Sequence, residues 1–172
     1  MKNLLFGFFL LGLTSLGFSQ NIIGGIEEVK LADVYLSNIN ADYLAKVQDE
    51  NTAKSVKHLE NIASRHKITE SHKYDGRDDE FKTRFEDANG FINAYYDKDG
   101  KILSTSEKYK NIKIPDEVKN TIYSKFPDWS VDNFVYVVYY DSDKDAVKTY
   151  QLILRKDNKK KKLKLDHNGN IK

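Results

Sequence analysis

Residues 131–141 read VDNFVYVVYYD. Side chains alternate across an extended chain, so Phe134, Tyr136, Val138 and Tyr140 share one face. Val135, Val137 and Tyr139 share the other. A strand apolar on both faces is either covered twice, or covered once with an aromatic face left for a partner. The Phe134 face is the bulkier, and tyrosine gives rigid area with a polar tip, as interfaces favour. The expectation is a helix over Val135, Val137 and Tyr139. Tyr136 and Tyr140 then line an open face, with Phe134 beside them and Tyr150 and Tyr95 on neighbouring strands. Plain core packing of the same residues is the competing expectation.

Working outward, the turn at 141–145 (DSDKD) leads to strands over 146–156 and 160–166, joined at Asp157-Asn158-Lys159. Upstream, Ile114-Pro115-Asp116-Glu117 opens a helix. Proline suits the first helical position, and two acids complement the positive end of the helix dipole. Val118, Ile122 and Phe126 continue one face, and Pro127 stops the helix, which is expected over 116–125. Before it, Phe81, Thr83 and Phe85 alternate along 80–87. Asn89-Gly90 marks a hairpin, because both residues tolerate positive φ. Strands over 91–96 and 101–106 flank the turn Asp97-Lys98-Asp99-Gly100. A helix is expected over 52–66, capped by Thr52. Val56, Leu59, Ile62, Ala63 and His66 form its buried face, and Lys54, Lys57, Glu60, Asn61 and Ser64 its wet one. A short strand is expected near 28–36, and Tyr43, Leu44 and Val47 extend an apolar stripe.

The two halves repeat. Residues 96–102 (YDKDGKI) overlay 165–171 (LDHNGNI), and Phe81, Thr83 and Phe85 overlay Tyr150, Leu152 and Leu154. Each half reads helix, strand, strand, strand. The fold class expected is α+β: helices packed on a curved antiparallel sheet built from two similar halves.

At the N-terminus, Lys2 precedes the apolar run Leu4–Leu13, which is too short to span a bilayer. Gly17 and Ser19 are small, so 1–19 is read as a secretory signal peptide cleaved after Ser19. The rest divides into an N-terminal extension (20–50), a first half (51–106) and a second half (107–172). No other run is long enough for stable membrane insertion after cleavage. Lys and Arg number 28 against 26 Asp and Glu, a net charge of +2, so no broad basic field for nucleic acid is expected. The absence of Cys excludes disulfides, Cys-ligated zinc and thiol nucleophiles.

Chemistry-bearing patterns are few. His58, His66, His72 and His167 form no H-E-x-x-H, and no G-x-S-x-G, P-loop or G-x-G-x-x-G exists. No catalytic residue, metal site or cofactor is assigned. Asp141, Asp143 and Asp145 match the first, third and fifth places of a calcium loop. Ala146 and Leu152 stand where that loop needs Gly and Glu, so a solvated turn is expected and calcium is the alternative. Lys162 and Lys164 share a face opposite Leu163 and Leu165. The lysine run 159–162 either guards an edge strand from aggregation or contacts an anion. A small-ligand module and an envelope enzyme without a recognisable motif are the remaining alternatives.

In order and spacing, several segments together resemble the PepSY-like family, also called β-lactamase-inhibitor-like. They are 91–96, the turn Asp97–Gly100 with Lys101-Ile102, Glu107-Lys108-Tyr109, Ile114-Pro115 and Phe126-Pro127-Asp128-Trp129. The resemblance covers about 80–172 and, less fully, the first half. It implies small exported bacterial domains in which a helix packs on a curved antiparallel sheet, often in tandem, without catalytic residues or cofactor. It further implies a periplasmic or secreted binding module for an envelope protein or peptide, with restraint of an enzyme as one form of binding. The family name is a fold analogy and warrants no claim on a β-lactamase.

Overall fold

Alternation and turn chemistry carry through into strands that pair in chain order. The structure, a computed structural model, describes residues 39–71, 74 and 80–172. The expected signal peptide, the strand near 28–36 and His72 lie outside the described residues. Helices α1 (Ala41–Val47) and α2 (Lys54–Ser64) come first, then a 3₁₀ turn at Ile68–Glu70. Strands β1 (Phe81–Glu86), β2 (Gly90–Tyr96) and β3 (Ile102–Tyr109) follow. Helix α3 (Asp116–Lys125) leads to β4 (Ser130–Asp141), β5 (Val147–Lys156) and β6 (Lys159–Asp166). Among the described residues the result is α+β: one six-stranded antiparallel sheet in the order β1-β2-β3-β4-β5-β6, with three helices. No helix among the described residues is long and apolar enough to cross a membrane.

The register sorts the residues by face. Phe81, Thr83 and Phe85 pair with Tyr96, Ala94 and Ile92. Ile92 pairs with Glu107, which pairs with Val138. Tyr136 pairs with Tyr150, which pairs with Leu165. These rows, together with Leu152, Leu154 and Leu163, form the core with Tyr43 and Val47 of α1, Val56, Leu59 and Ala63 of α2, and Val118 and Ile122 of α3. Each large side chain buried here stabilises the fold by about 1.5–3 kcal/mol. Part of the stretch read as an extension is therefore integral to the core. Lys46 of α1 also donates to the carbonyls of Ser142 and Lys144, both at 2.9 Å, tying α1 to the β4–β5 turn.

Two turns are built alike. The Asp97 carboxylate accepts from the backbone N–H of Asp99 and Lys101, and Gly100 N–H donates to the Asp97 carbonyl. The Asp166 carboxylate accepts from Asn168 and Asn170, and Gly169 N–H donates to the Asp166 carbonyl. Gly100 has φ +85° and Gly169 φ +83°, which is why glycine stands at both.

Five local expectations need correction. Thr52 does not cap α2: its hydroxyl bonds Asp49, and Ala53 holds the cap position without a side-chain bond. The buried stripe of α2 runs Val56, Leu59, Glu60, Ala63 and Ser64, while Ile62 is 44% exposed. The helix ends at Ser64, short of His66. Pro115 precedes the first helical residue of α3 and does not occupy it. Gly90 does not use positive φ. It is needed because a Cβ there would lie 2.3 Å from the Lys108 carbonyl and 2.7 Å from the Tyr109 ring.

Candidate functional site

All three helices pack on the Tyr136 face of the sheet, which inverts the expected arrangement. Tyr136, Tyr140 and Tyr150 are each 3% exposed. Tyr136 stacks on Tyr150 with centroids 4.6 Å apart, and Tyr140 meets Tyr43 of α1 edge-on at 5.1 Å. Phe134 is half-buried against the core beside Tyr150. Burial pushes the phenols of Tyr136, Tyr140 and Tyr150 up, so all three stay neutral. Tyr95 lies apart, on the opposite face, paired with Lys82 and Ser104. The open face expected at Tyr136 and Tyr140 is thus core. The rows decide this: Tyr136 sits among Tyr109, Tyr150 and Leu165, whereas Tyr139 sits among Ser106 and Val147.

The face that no described element covers is built from the complementary rows, in which Val137 and Thr149 are nonetheless buried. One runs Arg84, Asn93, Ser106, Tyr139, Val147. The next runs Glu86, Phe91, Lys108, Val137, Thr149, Asp166. Tyr139 is 55% exposed and its neighbour Val147 47%. Cations flank this apolar centre. Arg84 lies 3.8 Å from the Phe91 ring centroid while bonding Glu86, and Lys82 lies 5.3 Å from that of Tyr95. Such pairs leave an aromatic edge and a charge available together.

Toward β6 the same face dips into a trough of about 520 Å³. Val135, Gln151 and Ile153 line it, with Lys162, Lys164 and Lys172. The lysine run divides by strand alternation. Lys161 turns to the covered side, where its amine lies 4.8 Å from the Phe126 ring and 6.0 Å from Trp129. Lys160 lies 3.4 Å from Asp132, which Arg155 also clamps through two bonds. Lys162, Lys164 and Lys172 are exposed, and among the described residues none of them pairs with a carboxylate.

Beneath α1 and α2 lies a different cluster. Glu107 is wholly buried on β3, and Glu60 on α2 is equally buried. Glu107 Oε1 accepts from Tyr43 at 2.8 Å and Thr105 at 2.7 Å, and Oε2 from Tyr109 at 2.7 Å. Among the described residues neither oxygen of Glu60 has a partner within hydrogen-bonding geometry. Burial first, then the neighbouring Glu107 charge, pushes the Glu60 carboxyl up to about 9. Burial raises Glu107 too, against the pull of its three hydroxyl donors. The shared proton therefore resides on Glu60, which lacks the three hydroxyl donors that support a charge on Glu107. The pair is sealed from solvent, so its chemistry is proton binding that affects folding. Nearby, Lys148 meets Asp49 at 2.6 Å and holds its carboxyl below the usual range.

In the turn offered as a calcium alternative, the Asp141 carboxylate is engaged by the Asp143 N–H at 3.0 Å and Lys144 at 3.2 Å. Among the described residues no group of three or more His, Asp or Glu is placed to hold a metal ion. No family model, curated protein or solved structure matches the chain.

Sequence reasoning missed Tyr139, Val147, Arg84 and Lys108 as surface-face residues and Glu60 as a core one. The signal for the first group was in β6, whose Leu163 and Leu165 are buried while Lys162 and Lys164 are exposed.

Proposed function

We propose that the chain is a non-catalytic, exported recognition module of the PepSY-like kind. In this reading it binds a protein or peptide in the cell envelope through the sheet face that carries Tyr139. The observation that carries the reading is that face: Tyr139 and Val147 stand exposed side by side, no described element covers them, and Lys82, Arg84 and Lys108 lie on the neighbouring strands. Isolated surface apolar residues are ordinary, but adjacent ones near cations on a sheet face suit a partner. One feature supports the two-halves reading: the Asp97 and Asp166 turns share the same bonds, the first after β2 and the second after β6. Export rests on the N-terminal leader pattern alone.

The test is a photo-crosslinking amino acid at position 139, with position 123 on α3 as control, in cells that make the protein. Tyr123 is 67% exposed but lies on the helix side. A discrete protein adduct at 139 and none at 123 supports the reading. Equal adducts at both positions, or none at 139, would overturn it.

A further inference from the structure

Resting on that reading, we propose that the trough beside β6 is the specificity subsite of the face. It takes an extended acidic peptide segment in which acidic and apolar side chains alternate.

Charge complementarity and spacing carry the inference. Lys162 and Lys164, exposed and without a carboxylate partner among the described residues, line one depression together with Lys172, Val135 and Ile153. Lys162 pairs directly with Ile153, and Lys164 pairs with Gln151, which pairs with Val135. Lysines two apart on one strand repeat at roughly 6.6 Å, the repeat of same-side residues in an extended peptide. With the peptide's edge toward β5, carboxylates at alternate positions turn toward Lys162 and Lys164 on β6, and the apolar side chains between them turn the other way, toward Val135 on β4. Gln151, exposed in the middle, offers an amide for its backbone. A membrane surface fits less well. Its headgroups would meet the lysines, but Val135 and Ile153 are half-buried and offer little apolar area to acyl chains. The lysines also account for themselves poorly as edge protection alone, since that role needs no apolar floor beside them.

The experiment is isothermal titration of the full chain lacking its leader, at low ionic strength. The probes are a seven-residue peptide of alternating glutamate and valine, its lysine-for-glutamate counterpart, and phosphatidylglycerol vesicles. The acidic peptide is expected to bind and to lose most of its affinity in about 0.5 M salt, where charges beyond a few Å are screened. Lys162→Glu with Lys164→Glu should weaken it by roughly tenfold or more, as two attractions become repulsions. Lys113→Glu with Lys125→Glu should leave it unchanged, and Ile153→Ser should weaken it with the lysines intact. Circular dichroism confirms that each variant is folded. Lys162→Gln with Lys164→Gln, expected to give an intermediate loss, serves if the reversal does not fold. The inference is overturned by equal binding of the acidic peptide to the reversed variant, by preference for the basic peptide, or by vesicles binding where the acidic peptide does not. If position 139 still crosslinks a partner while the peptide ignores the trough, this inference fails and the broader reading stands.

Discussion

Tyr136 and Tyr139 are three residues apart on β4 and occupy opposite worlds. Tyr136 is stacked on Tyr150 beneath the helix layer, and Tyr139 stands 55% exposed beside Val147. The same division runs across the whole sheet. On the covered face, the buried charges are few and paired or protonated: Glu107 under three hydroxyls, Glu60 neutral, Lys148 against Asp49. On the open face, Lys108, Lys162 and Lys164 are exposed cations. The contrast teaches that residue type alone does not assign a face here. The covered face tolerates acids because hydroxyls and a proton satisfy them, and on the open face Phe91 and Tyr95 lie against Arg84 and Lys82.

The sharpest way to break the comparison is a pair of alanine substitutions. Tyr140→Ala should cost about 3–5 kcal/mol, as expected for removing a packed aromatic ring. Tyr139→Ala should stay within about 0.5 kcal/mol. Urea denaturation measures both, and similar values would show that the faces are not distinct.

Next is the buried acid. The folded-state pKa of Glu60, about 9, lies above its unfolded value, so folding takes up a proton between the two. Its stabilising contribution is complete below the unfolded pKa and is lost as pH rises toward the folded one. Stability should fall from about pH 5 to pH 8, and Glu60→Gln should flatten that fall. The variant should be more stable at pH 7 by on the order of 3 kcal/mol. Denaturation at several pH values checks this, and a slope unchanged by the substitution would place the proton elsewhere.

A smaller effect compares lysines across the sheet. Lys148→Met strips Asp49 of a partner held at 2.6 Å and should cost about 1–2 kcal/mol. Lys164→Met removes an exposed cation without a carboxylate partner and should change stability by less than about 0.5 kcal/mol. Thermal unfolding of the two variants side by side measures the difference.

Much of the strand layout was legible because turns punctuate it. Asp97–Gly100, Asp157-Asn158 and Asp166–Gly169 each fall where strands end. The direction of β4 was not legible from β4 itself, since both of its faces are apolar. The information lay in register. The Asp157-Asn158 turn pairs Lys156 with Lys159, which places Leu163 and Leu165 opposite Leu152 and Tyr150, and Tyr150 opposite Tyr136. Following that chain from β6 assigns Tyr136 to the core. Glu60 was hidden for another reason. It completes the stripe from Val56 through Leu59 to Ala63, but its charge argued for solvent, and the compensating proton depends on Glu107, far away in sequence.

The central claim is that the helices cover the Tyr136 face and leave the Tyr139 face to a partner. Tyrosine nitration followed by peptide mass mapping tests it most directly, in the free protein and after partner capture. The account predicts rapid modification of Tyr139 in the free protein, protection of Tyr136, Tyr140 and Tyr150, and loss of Tyr139 reactivity once the partner is bound. Fast modification of Tyr136 or Tyr140 with Tyr139 shielded in the free protein would contradict it.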